Sequence, residues 1–201
     1  MFLSLRNAIL HSVALLIAAA ASISASTASH LYVTDLQGNT ISQLAPGNTR
    51  VVVLLFTATD CPISKRYIPE IARLQQEFSS RGVAFWWVFP NPGDTAAVVR
   101  KHELDFSIRT ATLIDTRQEL AHFAHVSVTP EAAVFAVNGT DLREIYHGRI
   151  DDRYLSFSRY RPAATRHDLE EAIKATLAGT PVLSPIAQPV GCSIVPLNLQ
   201  P

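Results

Sequence analysis

The fold of this chain is decided by the stretch Val51-Val-Val-Leu-Leu-Phe-Thr-Ala-Thr-Asp-Cys61-Pro62-Ile63-Ser64. Its unbroken apolar run predicts a central strand that is buried on both faces. Cys61 is followed at once by Pro62 and then by a helical pattern. The thiol is therefore expected at a helix N-terminus. There, unpaired backbone N–H groups and the helix dipole favour the thiolate, which is the reactive form.

Strands and helices alternate on either side of this stretch. The pattern predicts strands at His30–Thr34, Val51–Phe56, Val83–Phe89, Thr110–Ile114, Glu131–Val137 and Leu142–Ile150, and helices at Lys65–Ser80, Arg117–His125 and Arg166–Ala178. Asp94 and Thr165 are the expected N-caps of a helix through Glu103 and of the last helix. Asn138-Gly139 predicts a hairpin turn. The order predicts an α/β fold with a mostly parallel sheet, helices on both faces and an antiparallel hairpin at one edge.

Both ends of the chain differ from this central domain, which spans residues 29–179. Residues 1–28 contain an apolar stretch followed by small residues, which is typical of a signal peptide, although an uncleaved anchor stays open as an alternative. Residues 180–201 are rich in proline and predict an extended tail that carries Cys192. We therefore expect an exported protein, periplasmic or secreted, with no membrane span once the signal peptide is cleaved.

The charge balance limits the partners that the protein can hold. Seventeen Lys and Arg residues balance seventeen Asp and Glu residues. Without a strong net field, binding to nucleic acid or to an anionic membrane is not expected.

Cys61 and Cys192 are the only two cysteines. Cys61 is predicted to be a nucleophile, and the alternative is a small buried apolar side chain. Cys192 has three open interpretations: a resolving thiol on a mobile arm, the partner in a static disulfide, or a free thiol.

A set of motifs resembles the thioredoxin-like fold, and within it the exported redoxins, the group of TlpA-like and AhpC/TSA proteins. The motifs are a strand that ends in Cys61-Pro62, the segment Leu113-Ile-Asp-Thr116, and the run from Ala121 to Thr129-Pro130 ahead of the hairpin. The resemblance covers Asp35 to Ala178. It implies that Pro130 is cis and faces the active sulfur, and that Thr129 offers its backbone to an incoming thiol or peptide.

Two departures from these families bear on the reaction. Thioredoxins carry Cys-x-x-Cys, but Ser64 stands at the second position, where it can hydrogen-bond a thiolate without resolving a mixed disulfide. Peroxiredoxins carry Pro-x-x-x-Thr-x-x-Cys, but the matching positions are Leu54 and Ala58. The hydroxyl that would orient a peroxide is therefore missing, although Thr57 and Thr59 are close in sequence.

Other candidate residues are weaker. Arg149 or Arg153 could lower the pKa of a nearby thiolate, or could belong to a solvated face of Asp–Arg pairs. The histidines, among them His122, His125 and His147, show no ligand spacing tied to a cysteine. We therefore expect no metal and no cofactor.

The sequence thus predicts an exported thiol–disulfide oxidoreductase with Cys61 as nucleophile, and Ser64, Thr129 and Pro130 around it. Cys192 is the candidate resolving thiol. The partners of the protein would be a substrate, either a protein or a small molecule with a disulfide or thiol, and an external thiol reductant. The alternatives are a peroxiredoxin-like thiol peroxidase with an antioxidant role, and a non-catalytic module that binds copper or a partner protein.

Overall fold

The structure of the protein is a computed structural model that describes residues 32–197. The predicted signal peptide at residues 1–28 and the end of the tail, residues 198–201, lie outside this range. Across residues 32–197, no helix combines the length and the hydropathy of a membrane span.

The described chain contains ten strands and four α-helices. The strands are β1 (Val51–Phe56), β2 (Val83–Phe89), β3 (Thr112–Ile114), β4 (Val128–Thr129), β5 (Glu131–Asn138), β6 (Asp141–Gly148), β7 (Tyr154–Ser156), β8 (Arg159–Tyr160), β9 (Ile186–Ala187) and β10 (Cys192–Ser193). The helices are α1 (Pro62–Phe78), α2 (Ala96–Phe106), α3 (Glu119–Phe123) and α4 (Asp168–Ala178). The predicted bounds of β1 and β2 are confirmed, while α3 is shorter than its prediction.

A six-stranded sheet with the order β3-β2-β1-β5-β6-β9 forms the centre of the fold. Strand β1 pairs in parallel with β2 and antiparallel with β5, so it is hydrogen-bonded along both edges. The predicted sheet with its antiparallel hairpin, β5–β6, is confirmed. The tail adds the short strand β9 outside that hairpin, in parallel with β6.

Helices cover both faces of the sheet, as predicted. One apolar cluster joins α1 and α4 to one face, and it includes Leu74 and Ile173. A second cluster joins α3 to the other face, and it includes Leu120 and Phe135. Alternate residues of β1 belong to the two clusters, and every one of them is buried, which explains its unbroken apolar sequence.

Three local predictions are wrong or only partly met. The N-cap of α2 is Thr95, whose hydroxyl accepts the Val98 N–H, and Asp94 points elsewhere. The last helix begins at Asp168 with His167 as its N-cap, because Thr165 instead donates two hydrogen bonds to Asp152. In the predicted first strand, Thr34 forms only isolated bridges, with Thr40 and Ile114, and His30 lies outside the described residues.

The tail lies against the body of the protein at two glycines. The Arg149 N–H donates to the Ala187 carbonyl at 3.0 Å where β9 passes Gly148. A Cβ atom at Gly148 would lie 2.0 Å from that same oxygen, and the φ of Gly148 is +143°. At Gly191, a Cβ atom would lie 2.2 Å from the carbonyl oxygen of Thr129. Only glycine permits these close approaches of the tail.

We expect Gly148→Ala to release β9 from β6, because the added methyl group occupies the position of the Ala187 carbonyl. Hydrogen exchange of the Arg149 amide should accelerate by at least about tenfold. Gly139→Ala is the matched control, since Gly139 also has a positive φ, +62°, but meets no atom within 4 Å. Unchanged exchange at Arg149 in the Gly148 variant would contradict this account of the docking.

Candidate active site

Cys61 occupies the N-cap of α1, with extended backbone angles (φ −75°, ψ 117°). Pro62 follows in the first turn, where its missing N–H costs no hydrogen bond. The side chain of Cys61 caps none of the backbone N–H groups, so its sulfur stays available at the positive end of the helix. Only 1% of Cys61 is exposed, so no reagent reaches the sulfur without movement of its neighbours.

Asp94 holds the loop that presents Cys61. Its Oδ1 accepts hydrogen bonds from the backbone N–H of Thr59 at 3.0 Å and from the Thr59 hydroxyl at 2.5 Å. Its Oδ2 is buried and has no hydrogen-bond partner among the described residues. Burial raises the pKa of Asp94 above its ordinary value, although the two bonds from Thr59 act against this. The sequence analysis missed this role because Asp94 and Thr59 are distant along the chain.

Thr129 contacts the sulfur of Cys61 and is followed by Pro130. The Cys61 thiol donates to the carbonyl oxygen of Thr129, with 3.2 Å between the two atoms. The peptide bond between Thr129 and Pro130 is cis, as the resemblance implies, and Thr129 is fully buried. Of these two predicted neighbours, Thr129 therefore lies beside Cys61.

The tail brings Cys192 to the same point. Strand β10 pairs antiparallel with β4, which places Cys192 opposite Thr129, and the Thr129 hydroxyl donates to the Cys192 carbonyl at 3.4 Å. Farther along, the side-chain amide of Gln118 donates to the Val195 carbonyl at 2.6 Å. Both cysteines are free thiols, buried at Cys61 and partly exposed at Cys192.

The environment drives the pKa values of the two thiols apart. Burial raises the pKa of Cys61, but hydrogen bonds from the Cys192 side chain and from Ser64 outweigh it, so the net shift is downward. For Cys192, burial, the hydrogen bond to Cys61 and the negative charge on Cys61 raise the pKa to about 12. Cys61 is therefore the thiol of the two that ionises more readily.

Ser64 contributes to this difference from the first turn of α1. Its hydroxyl is buried and has no hydrogen-bond partner among the described residues while Cys61 is a thiol. Its backbone N–H and its hydroxyl both lower the pKa of Cys61, because each can donate to the thiolate.

The positions that would orient a peroxide are apolar. Leu54 and Ala58 are both fully buried. The Thr59 hydroxyl is engaged by Asp94, and the Thr57 hydroxyl is buried without a partner in the described part of the chain. Leu54, Ala58 and Thr59 therefore offer no free hydroxyl to a peroxide. Among these four residues, only Thr57 has a hydroxyl without a hydrogen-bond partner in the described part of the chain.

The two arginines named from the sequence are held by carboxylates. Arg149 Nε lies 2.7 Å from Asp168 Oδ2, and Arg153 Nη2 lies 3.6 Å from Asp151 Oδ2. Within residues 32–197, neither forms a hydrogen bond with Cys61. These contacts agree with the alternative given from the sequence, in which Arg149 and Arg153 belong to a face of Asp–Arg pairs.

Comparisons with solved structures show the same fold. An uncharacterized conserved protein from Geobacillus kaustophilus is 26% identical, with a TM-score of 0.69 over 82% of this chain and 87% of that one. A hypothetical protein from Sinorhizobium meliloti 1021 is 22% identical, with a TM-score of 0.69 over 83% and 91%. MTB dsbF, solved in mixed oxidized and reduced forms, is 16% identical, with a TM-score of 0.52 over 73% and 95%. No curated protein matches this chain.

The sheet order, the cysteine at the start of α1 and the cis-proline after the Thr129 carbonyl that accepts its thiol define a thioredoxin-like redoxin. Residues 25–146 match the AhpC/TSA family, and the chain belongs to that family. The resemblance found in the sequence is therefore confirmed.

We expect Cys61 to ionise below the ordinary cysteine value of about 8.5, and Ser64→Ala to raise its pKa. The variant loses a donor to the thiolate, so alkylation of Cys61 by iodoacetamide at neutral pH should slow severalfold. The measurement is the alkylation rate against pH, followed on the Cys61 peptide by mass spectrometry. Ser80→Ala, at an exposed position two residues beyond the end of α1, should leave the profile unchanged. Equal profiles for the wild type and Ser64→Ala would show that the Ser64 hydroxyl does not stabilise the Cys61 thiolate.

Proposed function

We propose that this protein is an exported thiol–disulfide oxidoreductase in which Cys61 is the nucleophile and Cys192 is the resolving thiol. The observation that carries the proposal is the meeting of both thiols at Thr129, with the pKa of one lowered and that of the other raised. The signal-peptide pattern at residues 1–28 supports export, and family membership supports a redox role.

In the first step, the Cys61 thiolate attacks one sulfur of a substrate disulfide. A mixed disulfide forms between Cys61 and that sulfur, and the other substrate sulfur leaves as a thiolate. The substrate chain would pair with β4 at Thr129, as the tail strand β10 does.

In the second step, Cys192 loses its proton and attacks Cys61. This forms the Cys61–Cys192 disulfide and releases the second substrate thiolate. Part of the rise in the pKa of Cys192 comes from its hydrogen bond to Cys61 and from the charge on Cys61. Both end when Cys61 is in a mixed disulfide, so Cys192 becomes easier to ionise at the moment when it is needed. Overall, the substrate disulfide is reduced to two thiols and the protein dithiol is oxidised to a disulfide. An external thiol reductant then reduces the Cys61–Cys192 disulfide back to the dithiol.

The burial of Cys61 requires the tail to move during this cycle. Strand β10 holds the edge of β4 through two residue pairs, Cys192 with Thr129 and Ser193 with Val128. A contact this short can be exchanged for a substrate strand of similar length, so we expect the tail to leave for the first step and return for the second.

A thiol peroxidase is the second candidate, because the burial of Cys61 favours a small oxidant over a protein disulfide. Cys61 would reduce the peroxide to an alcohol or water and become a sulfenic acid. That sulfenic acid would then condense with Cys192 to a disulfide and release water. We place this reaction second because Leu54 and Ala58 are apolar and provide no hydroxyl to orient a peroxide.

We expect oxidation by a small aromatic disulfide to join the two cysteines. Non-reducing tryptic mapping should then link the peptide of residues 51–65 to the peptide of residues 175–201. Cys192→Ser should stop at a mixed disulfide on Cys61, whereas Cys61→Ser should form no linked pair. Recovery of intermolecular dimers alone would deprive Cys192 of its resolving role.

We expect reduced protein to react faster with the same disulfide than with hydrogen peroxide at equal concentration in stopped flow. Ala58→Thr should raise only the peroxide rate, because it supplies the hydroxyl that would orient a peroxide, and Cys61→Ser should abolish both reactions. Fast peroxide oxidation of the unaltered protein would make the peroxidase the better assignment. If both reactions fail, the chain acts as a binding module on a redoxin fold.

A further inference from the structure

Two histidines and a glutamate converge on the sheet face that carries α3, away from the thiols. The Nδ1 atom of His125 lies 2.9 Å from Glu144 Oε2, and the Nδ1 atom of His147 lies 2.7 Å from Glu144 Oε1. The candidate ligand atoms of the three residues all lie within 4.8 Å of one another. Each histidine therefore contacts its own oxygen of one carboxylate.

An irregularity in β6 creates this cluster. Residues three apart on a regular strand point to opposite faces, so Glu144 and His147 would be separated. The register of β6 against β5 shifts here: Glu144 pairs with Phe135 and Tyr146 pairs with Val134, which leaves Ile145 as an extra residue. Such a bulge returns the next residue to the same face. Glu144 and His147 therefore share one face of the sheet.

His125 completes the cluster from the loop after α3. Its φ is +53°, a left-handed conformation that few non-glycine residues adopt. Its ring lies 5.8 Å from the ring of His147, measured between centroids. Because 70% of its side chain is exposed, the ring can rotate toward a ligand without disturbing the core.

The charge around the cluster favours a cation. Within residues 32–197, the ion-pair partners of Glu144 are these two histidines alone, with no lysine or arginine. A second carboxylate, Glu131, is buried nearby, and its Oε2 accepts hydrogen bonds from the backbone N–H groups of Ser127 and Val128. A comparable group at Glu70, His167 and Glu170 differs, since Arg73 pairs with both of its glutamates.

We propose that His125, Glu144 and His147 bind one divalent transition-metal ion of the Zn²⁺ type through two imidazole nitrogens and one carboxylate oxygen. This donor set suits Zn²⁺, and three protein ligands leave a fourth position for water. Each Nδ1 that now contacts the carboxylate would give its lone pair to the metal, with the ring proton on Nε2. Metal–ligand distances of about 2.0–2.2 Å would hold the ligand atoms roughly 3.5 Å apart, so only small side-chain rotations are needed.

The site is independent of the proposed redox function, because it uses neither cysteine. The test therefore uses the full mature chain with Cys61→Ser and Cys192→Ser, which removes thiol binding of the metal. Titration with Zn²⁺ in a calorimeter should give one ion per chain. Binding should weaken as the pH falls, because protonated imidazole cannot ligate. Replacement of Zn²⁺ by Co²⁺ should give the intense visible absorption of a four-coordinate site.

Single substitutions then assign the ligands. His125→Ala and Glu144→Gln should each weaken Zn²⁺ binding by at least about tenfold. His122→Ala is the matched control, since His122 is an exposed histidine at the end of α3 outside the cluster, and it should leave the affinity unchanged. Circular dichroism and melting temperature verify that each variant is folded. The proposal is wrong if no Zn²⁺ binds, if binding survives both ligand substitutions, or if His122→Ala weakens it equally.

Discussion

The rest of the structure depends on strand β1, which is buried on both faces and hydrogen-bonded along both edges. Its pairing with β2 and β5 fixes the centre of the sheet, and its alternating side chains enter both apolar clusters. A strand held on four sides cannot shift along its axis without exposing apolar side chains. The point at which it ends is therefore fixed, and the thiol of Cys61 follows a few residues later at the start of α1. The position of the reactive group thus follows from the packing of the core.

The backbone around Thr129 connects this thiol to the tail. Its carbonyl accepts the Cys61 thiol, and its strand pairs with the tail segment that carries Cys192. Gly191 allows this approach, since any larger residue would collide with Thr129. Under the proposed function, this short strand pairing lets the tail give way to a substrate strand and then bring Cys192 back as the resolving thiol. The same contacts therefore explain why Cys61 is covered and how a second thiol reaches it.

The electrostatics of the two thiols show how small groups decide roles that residue identity alone leaves open. Burial opposes ionisation at both sulfurs, yet donors from Cys192 and Ser64 tip Cys61 toward the thiolate. The negative charge at Cys61 then keeps the proton on Cys192. Ser64 stands where a thioredoxin motif has its second cysteine, and the second thiol of this chain, Cys192, lies opposite Thr129 instead. Under the proposed function, the resolving residue is therefore distant from Cys61 in sequence.

The sequence by itself determined the features that depend on local periodicity: the bounds of β1 and β2, the hairpin, the helix that begins after Cys61 and the membership of the redoxin class. These follow from short-range patterns of apolar, proline and glycine residues, which act on neighbours in the chain. Only the tertiary structure decided that Asp94 holds the loop before Cys61, that Cys192 lies opposite Thr129, and that a bulge places Glu144 beside His147. Each of these contacts joins segments far apart in the chain or depends on a shift in strand register. Local propensity does not predict contacts between distant segments or shifts in strand register, because both arise when the sheet and the tail pack together.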